Sequence, residues 1–231
     1  MKNRIVIIGG MGPQASLYFH KLLIDYYAEH GAKNNADYPE IVHISIPVPD
    51  FINSNDSSGA ERMLEDVLSK ISFLVTDKVF LTCNTVHKLQ DSLEKHTGGI
   101  KIISLIDEVE NYLTSSSDEV KKVGLLASPM TISSGLYSKP LENKGISVIA
   151  SDIPEQNAVE DIIRDVISNI EPSQYREHFI QPLEKLFQSG AEKIILGCTE
   201  ISLVFNGGSD DRIIDPLKIA IQQNIKLEPK D

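Results

Sequence analysis

The chain is written as one strand-and-helix pattern run twice, and each run holds a short apolar segment that ends on a cysteine. The first reads Asp77-Lys78-Val79-Phe80-Leu81-Thr82-Cys83-Asn84-Thr85, and the second Glu192-Lys193-Ile194-Ile195-Leu196-Gly197-Cys198-Thr199-Glu200. Each has an acid-lysine pair, three apolar residues, one small residue, the cysteine, and a threonine within two positions. These are the only cysteines of the chain. Short β-prone apolar runs of this kind predict buried strands. Each thiol then stands at the carboxyl end of its strand, the end that borders the ligand crevice in open α/β sheets. One matched thiol per half suggests a site with a reactive sulfur on each side of a bound molecule.

The rest of the chain fits that frame. Strands are expected at residues 2–8, 41–47, 78–82 and 101–104, with helices over 13–30, 59–75 and 86–96 between them. Pro13 suits the first position of its helix. The alternation restarts with strands at 121–127, 147–150 and 193–197 and a short one near 212–214. Helices are expected over 131–143, 155–170 and 172–189, and from Pro216 onward. Repeated βα units imply parallel sheets covered by helices on both faces. The restart reads as an internal duplication. Asn3-Arg4-Ile5-Val6-Ile7-Ile8-Gly9 and Lys121-Lys122-Val123-Gly124-Leu125-Leu126-Ala127 are both basic-then-apolar strands, followed by turns running from Met11 to Ser16 and from Met130 to Ser134. The polar stretch Thr114–Glu119 is the expected loop before the second half.

Composition removes several function classes. A formal net charge of -11 argues against a nucleic-acid surface, though not against an anionic substrate, because local groups set the potential inside a pocket. No apolar stretch approaches the roughly 20 residues a membrane span needs. Two cysteines without a secretory segment point to a reducing cytoplasm. No zinc-spaced His/Cys cluster and no phosphate loop of the Walker type is present, so neither a metal nor a nucleotide is expected.

Gly9-Gly10-Met11-Gly12-Pro13 joins the first strand to the first helix. Glycines there let backbone N–H groups approach an anion at a helix N-terminus, and a plain tight turn reads equally well. Pro13 and Gln14 break the dinucleotide spacing. A single buried cysteine is most often a small hydrophobe, but duplication at two strand ends favours chemistry, since thiolates form where N–H groups favour negative charge. Asn84, Thr85 and Thr199 offer groups to cap the following helices or hold a carboxylate. Glu200 reads as an acid that orients a ligand or tunes Cys198, or as an ordinary first-turn glutamate. His87, Asp50, Arg164 and Asp215 read more plainly as structural or solvated groups, with a place facing the crevice as the alternative.

These motifs resemble the aspartate/glutamate racemase family, whose members invert amino acids without pyridoxal phosphate. The resemblance rests on Gly9-Gly10-Met11-Gly12-Pro13, Cys83-Asn84-Thr85-Val86-His87 and Leu196-Gly197-Cys198-Thr199-Glu200-Ile201, and so spans nearly the whole chain. Cell-wall glutamate racemases usually carry Gly-Cys-Thr-His at the third motif, so Gly-Cys-Thr-Glu is closer to the aspartate branch. The resemblance implies an α/β fold of two pseudo-symmetric lobes with the active site in the cleft between them. It implies a first lobe of residues 1–105 with 211–231 crossing back to it, a second lobe of 106–210, and a homodimer. Aspartate-dedicated members carry an arginine after the second strand, where this chain has Phe51 in Pro49-Asp50-Phe51-Ile52. Phenylalanine makes no bidentate carboxylate contact; some broad-specificity relatives look the same. Arg164 stands about where the family places a second cation.

The expected reaction is a two-base proton transfer on an acidic amino acid, aspartate or glutamate and possibly a broader set. Cys83 and Cys198 are the catalytic pair, with Met11, Gly12, Asn84, Thr85, Thr199, Glu200, Phe51 and Arg164 binding substrate and no cofactor. One thiolate takes the α-proton from one face and the other thiol returns a proton to the opposite face. Maleate isomerisation, hydantoin racemisation, arylmalonate decarboxylation, a non-catalytic acidic-metabolite binder and a redox switch remain as alternatives.

Overall fold

A computed structural model describes residues 4–49, 57–74, 76, 78–115, 119–205, 210–225 and 227, with only the backbone for 153–155. Asp50 and Phe51 lie outside the described residues.

The first lobe is a parallel sheet of β1 (Arg4–Gly9), β2 (Glu40–Ser45), β3 (Lys78–Leu81) and β4 (Ile102–Ile103) in the order β2-β1-β3-β4. The second repeats it with β5 (Lys122–Leu126), β6 (Ser147–Ala150), β7 (Lys193–Leu196) and β8 (Ile213–Ile214) in the order β6-β5-β7-β8. The duplication read from the sequence is thus a repeated topology. In each sheet the first strand pairs with the second on one side and the third on the other. That reversal makes a topological switch point at the carboxyl ends of β1 and β3, and again at β5 and β7.

Alternation along the strands builds the cores. Ile5, Ile7 and Phe80 face one apolar cluster of the first sheet, while Val6, Ile8, Val79 and Leu81 face the other. In the second sheet Val123, Leu125 and Ile195 are set against Leu126, Ile194 and Leu196 in the same way. Burying both faces explains why these runs read as continuously apolar, each such side chain stabilising the fold by about 1.5–3 kcal/mol.

The helices are α1 (Pro13–Glu29), α2 (Ser58–Ile71), α3 (Gln90–Leu93), α4 (Leu105–Ser115), α5 (Pro129–Ser134), α6 (Ser138–Asn143), α7 (Ile153–Ile167), α8 (Ile180–Gln188), α9 (Thr199–Val204) and α10 (Pro216–Asn224). Four depart from the sequence reading, one being the helix expected over 172–189, which opens as 3-10 turns at Pro172–Tyr175 and Glu177–Phe179 before α8. The helix expected over 86–96 is a short α3 between 3-10 turns at Thr85–Leu89 and Glu94–His96. The one expected over 131–143 breaks at Gly135, a left-handed cap with φ 71° that separates α5 from α6. α4 was not anticipated, although Ser104 Oγ accepts the Asp107 N–H at 3.1 Å and so caps it.

β8 pairs with β7, so residues 213–214 join the second sheet rather than the first lobe, to which the sequence reading assigned them. The crossing back follows Ile214. α10 then lays Leu217, Ala220 and Ile221 into the cluster of Ile5, Phe19 and Leu23, while its Ile219 joins the second-lobe cluster. Asp215, read from sequence as a solvated charge, is buried instead. Its Oδ1 accepts the Leu217 N–H at 3.0 Å and the Ser202 hydroxyl at 2.9 Å, which caps α10 and ties it to α9. Burial pushes its carboxyl above the usual range. Among the described residues no helix is long and apolar enough to cross a membrane.

Candidate active site

The two cysteine-ended strands point their carboxyl ends at each other. Cys83 follows β3 and precedes the 3-10 turn at Thr85–Leu89, whereas Cys198 is the N-cap of α9. Both are free thiols. Cys83 is half-buried and faces a cavity of about 340 Å³ between the lobes. The turn after β1 forms one wall with Gly10, Met11, Gly12 and Pro13. Val48 and Pro49, after β2, form another, and α7 and its end close the space with Arg164, Ile167 and Ser168. Thr85 lines the floor beside Cys83.

Cys198 is buried and is not among the residues lining this cavity. Its thiol donates to Glu200 Oε2 at 2.9 Å. Thr199 Oγ1 lies 3.2 Å from the same oxygen and 3.3 Å from the Thr82 carbonyl in the opposite lobe. Glu200 Oε1 accepts the Gly12 N–H at 3.2 Å, again across the lobes. Glu200 therefore joins the β1 turn to the second thiol. A Cβ at position 12 would stand 2.7 Å from Glu200 Oε1, so any other residue there displaces that carboxylate.

The electrostatics follow from burial. Cys83 is pushed up to about 12, first by burial and then by the Glu200 charge, against the pull of N–H groups of Val86 and Thr85. Cys198 is raised as well, by burial, by the Glu200 charge and by its hydrogen bond to Glu200. Burial raises the Glu200 carboxyl as well, opposed by its donors. A negative charge on any one of these groups raises the pKa of the others at low dielectric, so the three titrate as a coupled system.

Three residues that the sequence reading did not single out complete the site from the second lobe. Tyr137, fully buried, donates to Asn84 Oδ1 at 2.5 Å. Asn84 Nδ2 is buried with no hydrogen-bond partner among the described residues. Thr85 Oγ1 meets Thr131 Oγ1 at 2.9 Å and Ser128 Oγ at 3.4 Å. Ser128 caps α5 by accepting the Thr131 N–H, so a capping serine before a proline was the available signal.

Of the candidates read from sequence, Met11, Gly12, Cys83, Thr85 and Arg164 line the cavity, while Asn84, Cys198, Thr199 and Glu200 form the buried layer around it. His87 is structural. It is buried, its Nδ1 faces Gln90 Oε1 at 3.0 Å, its Nε2 accepts the Leu105 N–H at 3.4 Å, and burial lowers its pKa to about 4. Arg164 lies on the rim with Nε and Nη2 on Glu160 Oε1 at 3.1 and 2.9 Å. Among the described residues no group of three or more His, Cys, Asp or Glu side chains could hold a metal ion.

The sequence model of the Asp/Glu/Hydantoin racemase family matches residues 8–224, which takes in both cysteine strands and the β1 turn. The chain belongs to that family. It is 28% identical over 204 residues to the broad specificity amino-acid racemase RacX of Bacillus subtilis (strain 168), covering 87% of each chain. It is also 28% identical over 136 residues to the glutamate racemase of Aquifex pyrophilus, covering 55% of this chain and 48% of that one. Among solved structures, an aspartate racemase homologue from Pyrococcus horikoshii OT3 superposes with a TM-score of 0.76 at 27% identity over 96% and 97% of the two chains. The aspartate racemase of Picrophilus torridus has a TM-score of 0.77 at 24% identity, over 96% and 94%, and shares the fold. Membership makes the chain an amino-acid racemase of this family.

Proposed function

We propose that the chain inverts the α-carbon of a free amino acid, with Cys83 and Cys198 as the acid–base pair. One observation carries this reading: free thiols stand at equivalent strand ends of opposite lobes, Cys83 facing the inter-lobe cavity and Cys198 hydrogen-bonded to the buried Glu200 beside it. A reversible racemase needs two similar groups on opposite faces of its substrate, and the duplicated lobes supply them.

Burial and the Glu200 carboxylate hold both thiols protonated until an amino acid binds. An amino acid brings an α-ammonium, whose positive charge offsets a second anion and lets a thiolate form beside it. The α-carbon then loses its proton to one sulfur, and the α-carboxylate takes on enediolate charge. Asn84 Nδ2, a buried donor without a partner, and the Thr85 hydroxyl are the groups suited to meet that charge. Cys198, its side chain turned from Glu200 toward the cavity, then gives its proton to the opposite face of the α-carbon and is left as the thiolate. Pyridoxal phosphate is not part of the reading: that cofactor is held as a lysine Schiff base, and no lysine lines the cavity among the described residues.

The test is proton NMR in D₂O, with chiral chromatography, on wild type, Cys83→Ser and Cys198→Ser. Wild type washes out the α-proton of both enantiomers and yields the antipode. Each serine variant loses about 10²–10⁴ of the racemisation rate and retains exchange with one enantiomer at most. Full racemisation by either single variant would remove the two-thiol mechanism. A covalent reading, with Cys83 alone adding to an unsaturated diacid, draws on the inward turn of Cys198. It predicts a stable mass adduct on Cys83 with maleate and no α-proton exchange with amino acids.

A further inference from the structure

We infer that the cavity selects a neutral, apolar side chain of leucine or methionine size, rather than the second carboxylate of aspartate or glutamate. This rests on the racemase reading and names its substrate class. Apart from Cys83, Thr85, Ser168 and the rim residue Arg164, the side chains of the walls are apolar, supplied by Met11, Pro13, Val48, Pro49 and Ile167. An apolar side chain gains by leaving water against such walls. A carboxylate there loses hydration that only a dedicated partner restores.

Arg164 is the only charged side chain among the described residues lining the cavity, and it does not act as that partner. Two of its nitrogens are on Glu160 Oε1, and it sits exposed at the rim. A substrate carboxylate reaching the guanidinium would also approach the Glu160 carboxylate, so attraction and repulsion largely offset each other. Behind the opposite wall, Glu200 lies 3.2 Å from the Gly12 N–H, and its negative charge reaches the Cys83 thiol. A second carboxylate added to the substrate's own would therefore enter a cavity already flanked by acid. A volume of about 340 Å³ is at the small end of small-molecule sites, which run from roughly 300 to 1,000 Å³. It admits a single amino acid with a medium side chain.

The experiment measures α-proton exchange in D₂O for L-leucine, L-methionine, L-aspartate, L-glutamate and L-lysine, with wild type and Glu160→Gln. Leucine or methionine is expected to exceed both acidic substrates by about tenfold or more in kcat/KM. Glu160→Gln removes the carboxylate beside Arg164, so it raises aspartate and glutamate by about two- to fivefold and leaves leucine within about twofold. Aspartate, glutamate or lysine leading in wild type overturns the side-chain assignment alone, as does an unchanged aspartate-to-leucine ratio in the variant. No exchange with any of the five, by folded wild type, overturns the racemase reading and this assignment with it.

Discussion

At the scale of single residues, the unusual feature is a carboxylate placed where it raises both thiols. Glu200 touches Cys198 directly and acts on Cys83 through space. Replacing it with glutamine removes the charge and turns an amide N–H toward the Cys198 sulfur, while the amide oxygen still accepts from Gly12. Cys83 then keeps its burial and loses the charge, so its thiolate forms at lower pH. Alkylation of Cys83 by iodoacetamide, followed against pH, is expected to shift to lower pH in Glu200→Gln; an unmoved profile would show that burial alone sets the thiol. The same change affects stability with a definite sign. The Glu200 carboxyl is raised in the fold, so its stabilising contribution is full below its ordinary pKa and is lost as pH rises through the raised value. The variant therefore matches wild type in acid and gains on it toward neutrality, as urea denaturation at two pH values would report. Both cysteines were legible in the sequence because a β-prone run ending in a small residue marks a sheet's carboxyl edge. The bond from Glu200 to Gly12 spans 188 residues of chain and exists only once the lobes dock, so no local pattern announced it.

Among the elements, the turn between β1 and α1 serves two ends through different glycines. Gly10 has φ 95°, and a Cβ there would stand 2.2 Å from the Ile46 carbonyl oxygen and 2.5 Å from its nitrogen. Those are backbone atoms fixed in the extension of β2, so the strain has nowhere to relax. A Cβ at Gly12 meets instead the end of a side chain, Glu200 Oε1 at 2.7 Å. Gly10→Ala is accordingly expected to cost at least about 2 kcal/mol of stability, seen as a lower urea midpoint. Gly12→Ala holds its unfolding free energy within about 0.5 kcal/mol and loses racemisation, because what moves is Glu200. Equal stability losses in the two variants would refute the division. The same reasoning separates what periodicity could and could not say about the helices. Long faces such as α1, α2 and α7 were readable from apolar spacing. The split of α5 from α6 depends on a left-handed Gly135 within an otherwise helical run, where one glycine is a weak sign of a break. That split sets the buried Tyr137 between the two helices, so the missed break and the missed site residue have one origin.

For the molecule as a whole, the described polar contacts between the lobes gather around the cavity rather than over the wider interface. Gly12 with Glu200, Thr199 with the Thr82 carbonyl, Thr85 with Ser128 and Thr131, and Gln14 with the Ile167 carbonyl all border it. Helix α10 adds an apolar tie by packing on the first lobe after β8 has paired in the second. Docking the lobes and assembling the site are therefore one event, and a change that weakens docking is read out at the substrate. Tyr137 offers the sharpest case, because its ring packs in the second-lobe core while its hydroxyl crosses to Asn84. Tyr137→Phe keeps the ring and leaves Asn84 Oδ1 unpaired beside an Nδ2 that already lacks a partner. An unsatisfied buried acceptor costs about 1–3 kcal/mol, so the unfolding free energy from urea denaturation falls by about that amount with the secondary structure intact. The amide is also free to rotate, so the donor no longer waits for the α-carboxylate. KM then rises together with a fall in kcat, because the same donor serves the enediolate. A purely structural tyrosine would lower the midpoint and leave both constants of the folded enzyme as they were. Measuring kcat and KM for racemisation well below the unfolding temperature separates the two, and unchanged constants would reduce Tyr137 to a brace between the lobes.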